Sequence, residues 1–188
     1  MQTRFLIITG MSGAGKTQVV RTLEDLKYFC IDNLPAALIP KFAELCRQTS
    51  ESNVALVVDV RGGQFFDKLL QVLDEIKASG QKYELLFLDA DDATLVRRYK
   101  ETRRRHPLGD SETLLDNLAQ ERELLAPLLE KSTYIINTTD LNSSELKNRV
   151  RELFSTDNER ERMGIVVRSF GFKYGLPLDS DLVLDVRF

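Results

Sequence analysis

The sequence predicts an α/β fold in which a five-stranded parallel sheet is flanked by helices. Short apolar runs alternate with amphipathic helical patterns through the first 155 residues, which is typical of a parallel sheet with helices on both faces. The run Val54–Val58 is uninterrupted and rich in β-branched valine, which indicates a strand buried on both faces. The first run, Phe5 to Ile8, enters a glycine-rich turn that leads into a helical pattern.

Strands and helices alternate along the chain, except that two helices follow the fourth strand. Strands are expected at Arg4–Thr9, Tyr28–Ile31, Val54–Val58, Glu84–Leu88 and Tyr134–Ile136. Helices are expected at Gln18–Leu26, Leu38–Gln48, Phe65–Ser79, Ala93–Arg105, Glu112–Lys131 and Ser143–Phe154. Pro127 should end the fifth helix early or kink it, because proline removes a helical hydrogen bond. Ser143 or Ser144 is the expected cap of the last helix.

The turn after the first strand carries the signature G-x-x-x-x-G-K-[ST], formed by Gly10, Gly15, Lys16 and Thr17. Small residues there let backbone N–H groups curl around a phosphate, and the next helix directs its positive end at the same anion. Lys16 is expected to reach the β- and γ-phosphates, and the Thr17 hydroxyl to hold Mg²⁺. The domain over residues 1–155 is therefore predicted to be a kinase-like P-loop NTPase that binds ATP or GTP. The predicted nucleotide-binding loop consists of Gly10, Met11, Ser12, Gly13, Ala14, Gly15, Lys16 and Thr17.

A second part of the site is predicted at the end of the third strand. Asp59 occupies the position where P-loop proteins place the acid that supports Mg²⁺ directly or through water, so Asp59 and Lys16 are the predicted catalytic residues. Asp59, Val60, Arg61 and Gly62 also form the D-x-x-G pattern found near the γ-phosphate of GTPases. Gly62 could offer a backbone N–H there. A loop aspartate that caps a turn is the structural alternative.

Three further stretches allow more than one interpretation. The segment 137–140, Asn-Thr-Thr-Asp, stands where a GTPase carries N-K-x-D but lacks the lysine, so it is either a guanine contact or a plain turn. The segment 32–35 either helps to hold a phosphoryl acceptor or simply starts a helix. His106 is either a loop residue or a catalyst. The lone histidine has no partner ligands for a metal site.

A dense basic cluster lies between the fourth strand and the fifth helix. It consists of Arg97, Arg98, Lys100, Arg103, Arg104 and Arg105. It could be a solvated helix face, a lid that clamps a transferring phosphoryl group as in small-molecule kinases, or a contact for RNA phosphates. A small-molecule kinase is therefore the alternative function for the chain.

Composition narrows the function classes. The net charge of −3 argues against a protein that coats nucleic acid through general basicity. Cys30 and Cys46 have no metal-site spacing, and Cys30 lies in an apolar stretch as a small core residue would. No signal peptide and no apolar stretch of about 18 residues are present, so a reduced, cytoplasmic setting with no membrane partner is expected.

The pattern changes near the end of the chain. Residues 156–163 are charged and are predicted to be a linker, and residues 164–188 are predicted to begin a second domain. Gly164–Phe170 and Asp181–Phe188 each look like a strand, and the chain stops within the second one. Because two strands cannot make a stable domain alone, this domain is expected to be truncated.

Several stretches together resemble the RapZ/YvcJ family of bacterial nucleotide-binding proteins. The two most specific to the family are the arginine-rich Arg97–Leu108 and the stretch Ser169–Pro177, Ser-Phe-Gly-Phe-Lys-Tyr-Gly-Leu-Pro. The others are Gly10–Thr17, Cys30–Pro35, Leu86–Asp91 and Glu121–Leu128. The resemblance spans nearly the whole chain.

The resemblance implies a kinase-type P-loop domain fused to a second α/β domain, with slow hydrolysis of ATP and GTP. It assigns nucleotide binding to residues 10–17 and the GTP-associated motif to residues 59–62. It also implies a regulatory, RNA-binding adapter that presents a small regulatory RNA to a ribonuclease and so controls amino-sugar synthesis. That role is expected mainly in the C-terminal domain, and a homo-oligomer is expected for the full-length protein.

Overall fold

The computed structural model describes residues 4–48, 53–58, 63–80, 82–102, 106–108, 113–155, 167–171, 173, 175–177, 180 and 182–185. For residues 47, 48 and 63–67 the description is limited to the backbone. The strands are β1 Arg4–Gly10, β2 Phe29–Asp32, β3 Asn53–Val57, β4 Glu84–Asp89 and β5 Tyr134–Asn137. The helices are α1 Lys16–Asp25, a 3₁₀ helix Ala36–Leu38, α2 Ile39–Gln48, α3 Gly63–Ala78, α4 Asp92–Thr102, α5 Leu114–Glu130 and α6 Ser143–Phe154.

The five strands form one parallel sheet in the order β2-β3-β1-β4-β5. The central strand β1 pairs with β3 on one side and β4 on the other, so that Leu6 faces both Ala55 and Glu84 in register. The chain leaves β1 toward β2 and leaves β4 toward β5, so the connections diverge between these two strands. Ligands of such sheets bind at the carboxyl ends of the strands where the connections diverge. The predicted α/β fold is confirmed, and the loop after β1 lies at that point.

The strands of the sheet centre consist of continuous apolar runs because they are buried on both faces. Leu6, Ile7 and Ile8 in β1 are completely buried, as are Leu85 and Leu86 in β4. Strands covered on both faces need continuous apolar sequence rather than alternation. The helices pack in two groups: α1 contacts α6, while α3 contacts α2, the 3₁₀ helix and α5, and α5 also contacts α4.

The end of the sheet opposite the P-loop is closed by Arg4, the first residue of β1. Its guanidinium binds the Glu84 carboxylate and donates to the hydroxyls of Tyr28 at 3.4 Å and Tyr134 at 3.2 Å. The guanidinium also lies 5.0 Å from the ring centroid of Phe154, a cation–π arrangement. These contacts join β1, β4 and β5 to α6, and the carboxyl ends of the strands form the rim at the other end of the sheet.

The cap of α6 differs from the prediction. Asn142, not Ser143 or Ser144, is the N-cap, and its side-chain oxygen accepts from the N–H groups of Ser144 at 2.9 Å and Glu145 at 3.0 Å. The Glu145 carboxylate in turn accepts from the Asn142 N–H at 2.8 Å. Such a capping box requires an acid three residues after the cap. Residues 146 and 147 are Leu and Lys, so neither serine could form one.

Pro127 does not end α5, which continues to Glu130. Proline removes the hydrogen bond that would reach the carbonyl of Glu123, a residue on the exposed side of the helix. The helix therefore loses one bond and continues.

The two strands predicted after residue 163 are not formed in the part that the structure describes. Residues 167–170 and 182–185 have no regular secondary structure there, and Val167 is 90% exposed and Leu182 76% exposed. A strand needs a neighbour for its backbone groups and a surface for its apolar side chains. The side chains of Val167 and Leu182 are not buried against any part of the chain that the structure describes.

Candidate functional site

The loop after β1 has the shape of an anion cradle. Gly10 ends the strand with a φ of +134°, and a Cβ there would overlap the Leu88 carbonyl oxygen and lie 2.8 Å from its carbonyl carbon. The next residue, Met11, donates its N–H to the same Leu88 oxygen at 2.9 Å, which ties the loop to β4. Gly15, with a φ of +104°, is the N-cap of α1 and has no side chain that could compete for the amide groups of the first turn. The amino end of α1 therefore faces the loop without a side-chain cap.

Lys16 folds back over this loop. Its ammonium donates to the carbonyl oxygens of Gly10 at 2.6 Å and Met11 at 3.2 Å, which places a positive charge beside the cradle. Thr17, the next residue, is exposed in the first turn of α1. Backbone amides, an ammonium and an accessible hydroxyl are the groups that a nucleoside triphosphate and its Mg²⁺ use. The donor set thus fits the predicted ligand.

A buried carboxylate that the sequence interpretation assigned no role contacts the same loop. Glu121 of α5 is 3% exposed and accepts from the Ser12 N–H with both oxygens at 3.1 Å and from the Ser12 hydroxyl at 2.6 Å. Leu118, Glu121, Leu125 and Leu128 form the buried stripe of α5. A carboxylate at helical spacing between leucines is a signal that could have identified Glu121 from sequence, because buried carboxylates are almost always paired.

His106 supports this carboxylate from the other side. It is 7% exposed, its Nε2 lies 3.1 Å from Glu121 Oε2, and its ring packs against Tyr99 with 5.4 Å between centroids. The interpretation of His106 as an ordinary loop residue is incomplete, because its imidazole is buried against the group that holds the P-loop. Its described link to the P-loop runs through Glu121.

Among the described members of the basic cluster, Arg97, Arg98 and Lys100, the one with a hydrogen bond to the P-loop is Arg98. Its guanidinium donates to the carbonyl of Gly13 at 3.2 Å and to the hydroxyl and carbonyl of Thr138 at 2.9 Å and 2.7 Å. The Thr138 hydroxyl donates to the Ala14 carbonyl at 3.0 Å. Partial burial and the neighbouring Arg97 charge lower the pKa of Arg98. Arg98 thus links α4, the P-loop and the end of β5, which a purely solvated helix face would not do.

Arg122 organises the rim beside Arg98. It donates to both oxygens of Asp89 at 2.9 Å and 3.1 Å, to Asp92 at 2.8 Å and to the Ala90 carbonyl at 3.0 Å. Asp89 ends β4, so α5 is fastened to the open edge of the sheet by Arg122 and to the P-loop by its neighbour Glu121. The two adjacent side chains fix the helix at the site.

The remaining predicted residues divide into two groups. Asp59, Val60, Arg61 and Gly62, as well as Arg103–Arg105, lie outside the described residues. The segments 137–140 and 32–35 form local turns. Asn137 accepts from the Thr139 N–H at 2.9 Å, and Asn33 has a φ of +59° before the 3₁₀ helix. Both turns are as expected from the structural interpretation of these segments, and their ligand roles stay predictions.

Comparison with known sequences identifies the family. A model of the RapZ-like N-terminal domain matches residues 3–158, and a model of the RapZ C-terminal domain matches residues 163–188. The chain belongs to the RapZ family. It is 52% identical over 98% of its length to a "Nucleotide-binding protein" of Clostridium botulinum. It is 54% identical, also over 98%, to one of Desulforamulus reducens.

The family resemblance inferred from the motifs is thereby confirmed. The chain spans 64% of the length of the C. botulinum relative and 63% of the D. reducens relative. Among the residues that the structure describes, every helix is too short or too polar to cross a membrane.

Solved structures confirm the kinase-like architecture. A shikimate kinase of Bacteroides thetaiotaomicron is 21% identical, with a TM-score of 0.54 over 80% of this chain and 97% of that chain. The tunicamycin resistance protein of Deinococcus radiodurans is 16% identical, with a TM-score of 0.54 over 82% of this chain and 98% of that chain. At these identities the likeness concerns the fold alone.

Proposed function

We propose that the chain binds ATP or GTP with Mg²⁺ at the loop of residues 10–17 and hydrolyses it slowly. The observation that carries the proposal is the position of Lys16, whose ammonium lies against the carbonyls of Gly10 and Met11 inside the cradle. The relatives' printed name, nucleotide-binding protein, supports it. In this proposal Thr17 holds Mg²⁺, Asp59 supports the metal directly or through water, and the backbone of Val60, Arg61 and Gly62 lies near the γ-phosphate.

Hydrolysis is expected to be slow because Asp89 and Asp92, two acids of the described rim, are bound by Arg122 and so are not placed to orient an attacking water. The charges that assist phosphoryl transfer, such as Lys16 and Arg98, stabilise the transition state, whereas transfer also needs an oriented nucleophile. The site is therefore suited to a nucleotide-dependent regulator.

Calorimetry with Mg·ATP, Mg·GTP and their non-hydrolysable analogues tests binding, and phosphate release tests hydrolysis. Lys16→Ala should abolish hydrolysis, because the ammonium is the charge that reaches the transferred phosphoryl group. Lys41→Ala is the matched control, since Lys41 is an exposed α2 residue that pairs with Glu44. If the 188-residue protein binds neither nucleotide, or if Lys16→Ala hydrolyses as fast as Lys41→Ala, the proposal is wrong.

A small-molecule kinase is the second candidate, favoured by the contact of Arg98 with the P-loop and Thr138. An arginine at that rim could stabilise a transferring phosphoryl group. A screen of small phosphoacceptors with labelled ATP separates the two candidates. Transfer to one metabolite at roughly 1–100 s⁻¹ would establish a kinase and replace slow hydrolysis as the main activity.

The regulatory role is proposed for the full-length protein. There, nucleotide binding would control a C-terminal domain that binds a small regulatory RNA and a ribonuclease, and the assembly would be a homo-oligomer. RNA filter binding over a salt series, with the 188-residue chain and a chain of the relatives' full length, tests where RNA binds. If the shorter chain binds RNA equally well and loses that binding when Arg103, Arg104 and Arg105 are replaced by alanine, the RNA site lies in the basic cluster instead.

A further inference from the structure

One peptide unit in the P-loop connects Glu121 with Lys16. The Ser12 N–H donates to both Glu121 oxygens at 3.1 Å. The Met11 carbonyl, which belongs to the same peptide unit, accepts from the Ala14 N–H at 3.1 Å and from the Lys16 ammonium at 3.2 Å. In a planar trans peptide the N–H and the C=O point in opposite directions. Whatever fixes the Ser12 N–H therefore also fixes one of the two carbonyls that hold Lys16, the other being that of Gly10.

Three donors converge on the Glu121 carboxylate. The Ser12 N–H and hydroxyl are two, and the third is His106 Nε2, 3.1 Å from Oε2. The Leu108 N–H donates to His106 Nδ1 at 3.2 Å, so Nδ1 is the acceptor and Nε2 carries the proton. The histidine is thus assigned as the neutral tautomer that donates to Glu121. Both carboxylate oxygens are occupied, and the side chain cannot rotate without losing bonds.

A carboxylate is a costly choice at this position. Glu121 lies on the leucine stripe of α5 with only 3% of its surface exposed, where a leucine would avoid the loss of hydration. Packing of the helix therefore does not explain why this position is a glutamate. Its contacts with the Ser12 N–H and hydroxyl do, since a leucine has no acceptor for either donor.

We propose that Glu121 is a positioning residue for Lys16. By holding the Met11–Ser12 peptide unit, it presents the Met11 carbonyl, which together with the Gly10 carbonyl keeps the lysine in the cradle before nucleotide arrives. His106 in turn keeps the carboxylate in place. A lysine ordered in advance loses less side-chain freedom on binding, which strengthens binding. This inference rests on the proposed nucleotide-binding function, and the experiment below separates the two.

The first test measures the affinity of the 188-residue protein for the non-hydrolysable Mg·ATP analogue. Glu121→Ala should weaken binding roughly tenfold to a hundredfold, because the Ser12 and His106 donors lose a charged acceptor. Glu121→Gln should recover most of the affinity, because its amide oxygen can still accept from the Ser12 N–H. Glu123→Ala, on the exposed side of the same helix, is the matched control and should bind like the wild type.

The route through Lys16 has its own test. In a Lys16→Ala background, Glu121→Ala should cause no further loss of affinity, whereas a merely structural defect would add its loss to that of Lys16→Ala. Additive losses would overturn the proposal. So would tighter binding by Glu121→Ala, because the carboxylate would then act by repelling phosphate.

Amide hydrogen exchange decides the proposal without nucleotide. The Ala14 N–H reports on the Met11 carbonyl, so its exchange should quicken at least roughly tenfold in Glu121→Ala while amides of β4 keep their wild-type rates. If wild-type protein binds no nucleotide, the proposed function is wrong and this exchange still decides the positioning role. Unchanged Ala14 exchange in a folded variant overturns it. If Glu121→Ala does not fold, the same measurement on Glu121→Gln decides, with a smaller acceleration of roughly threefold expected.

Discussion

Gly10 should be intolerant of even one methyl group. At its φ of +134° any side chain is strained, at a cost of about 1–3 kcal/mol. A Cβ would also overlap the Leu88 carbonyl oxygen, so β1 and β4 must separate where Met11 donates to that oxygen. Loss of that hydrogen bond adds about 0.5–1.5 kcal/mol. Gly10→Ala should therefore lower the free energy of unfolding by about 3 kcal/mol, combining these terms.

Gly80 provides the matched control. It also has a positive φ, +74°, but a Cβ there would meet nothing within 4 Å. Gly80→Ala should cost only the left-handed backbone strain, about 1 kcal/mol. Urea unfolding followed by circular dichroism gives both free energies, and the gain from a less flexible unfolded chain cancels in the comparison. Equal losses in the two variants would refute the argument that close approach to β4 demands glycine.

Two further predictions concern α6 and Cys30. Asn142→Ala should lower the free energy of unfolding by about 1 kcal/mol, because it removes the capping box. In the same urea titration, Ser143→Ala should change this free energy by less than about 0.5 kcal/mol. A larger loss for Ser143→Ala than for Asn142→Ala would show that the serine is the cap. Burial, reinforced by Glu24, raises the pKa of the Cys30 thiol to about 11. Alkylation of Cys30 at pH 8, measured by mass spectrometry, should therefore be roughly a hundredfold slower in folded than in unfolded protein. Because the pKa of Cys30 is higher in the folded state, the contribution of the neutral thiol to stability is full below about pH 9 and is lost as the pH rises toward 11. Equal alkylation rates in folded and unfolded protein would contradict both the slower alkylation and this pH dependence.

The parts of the fold that could be predicted from sequence were those with a local pattern. Continuous apolar runs such as Val54–Val58 identify buried parallel strands, because no other short element needs apolar side chains on both faces. The spacing from Gly10 to Thr17 identifies the P-loop, because each position has its own steric or chemical requirement. These requirements act within a few residues, so the chain itself displays them.

The parts that could not be predicted depend on distant partners. Glu121 meets Ser12 across 109 positions of sequence, and nothing near Ser12 indicates which residue will accept its N–H. Arg98 looked like one of several exposed arginines until the end of β5 brought Thr138 beside it. The cap of α6 could have been predicted from sequence, since Glu145, three residues after Asn142, completes the capping box. The serines were favoured on residue type alone.

The central position of β1 has a consequence for how the protein forms during synthesis. Of the five strands in this sheet, β1 leaves the ribosome before the others, yet Leu6 cannot pair until Ala55 on one side and Glu84 on the other have been synthesised. Pairings so distant in sequence close slowly. Gly10 cannot pack against Leu88 before Leu88 has been synthesised. The hydrogen bond from Ser12 to Glu121 can form only later still, because Glu121 follows Leu88 in the sequence. The signature thus precedes most of the domain in translation and becomes a binding site only after most of the domain has emerged.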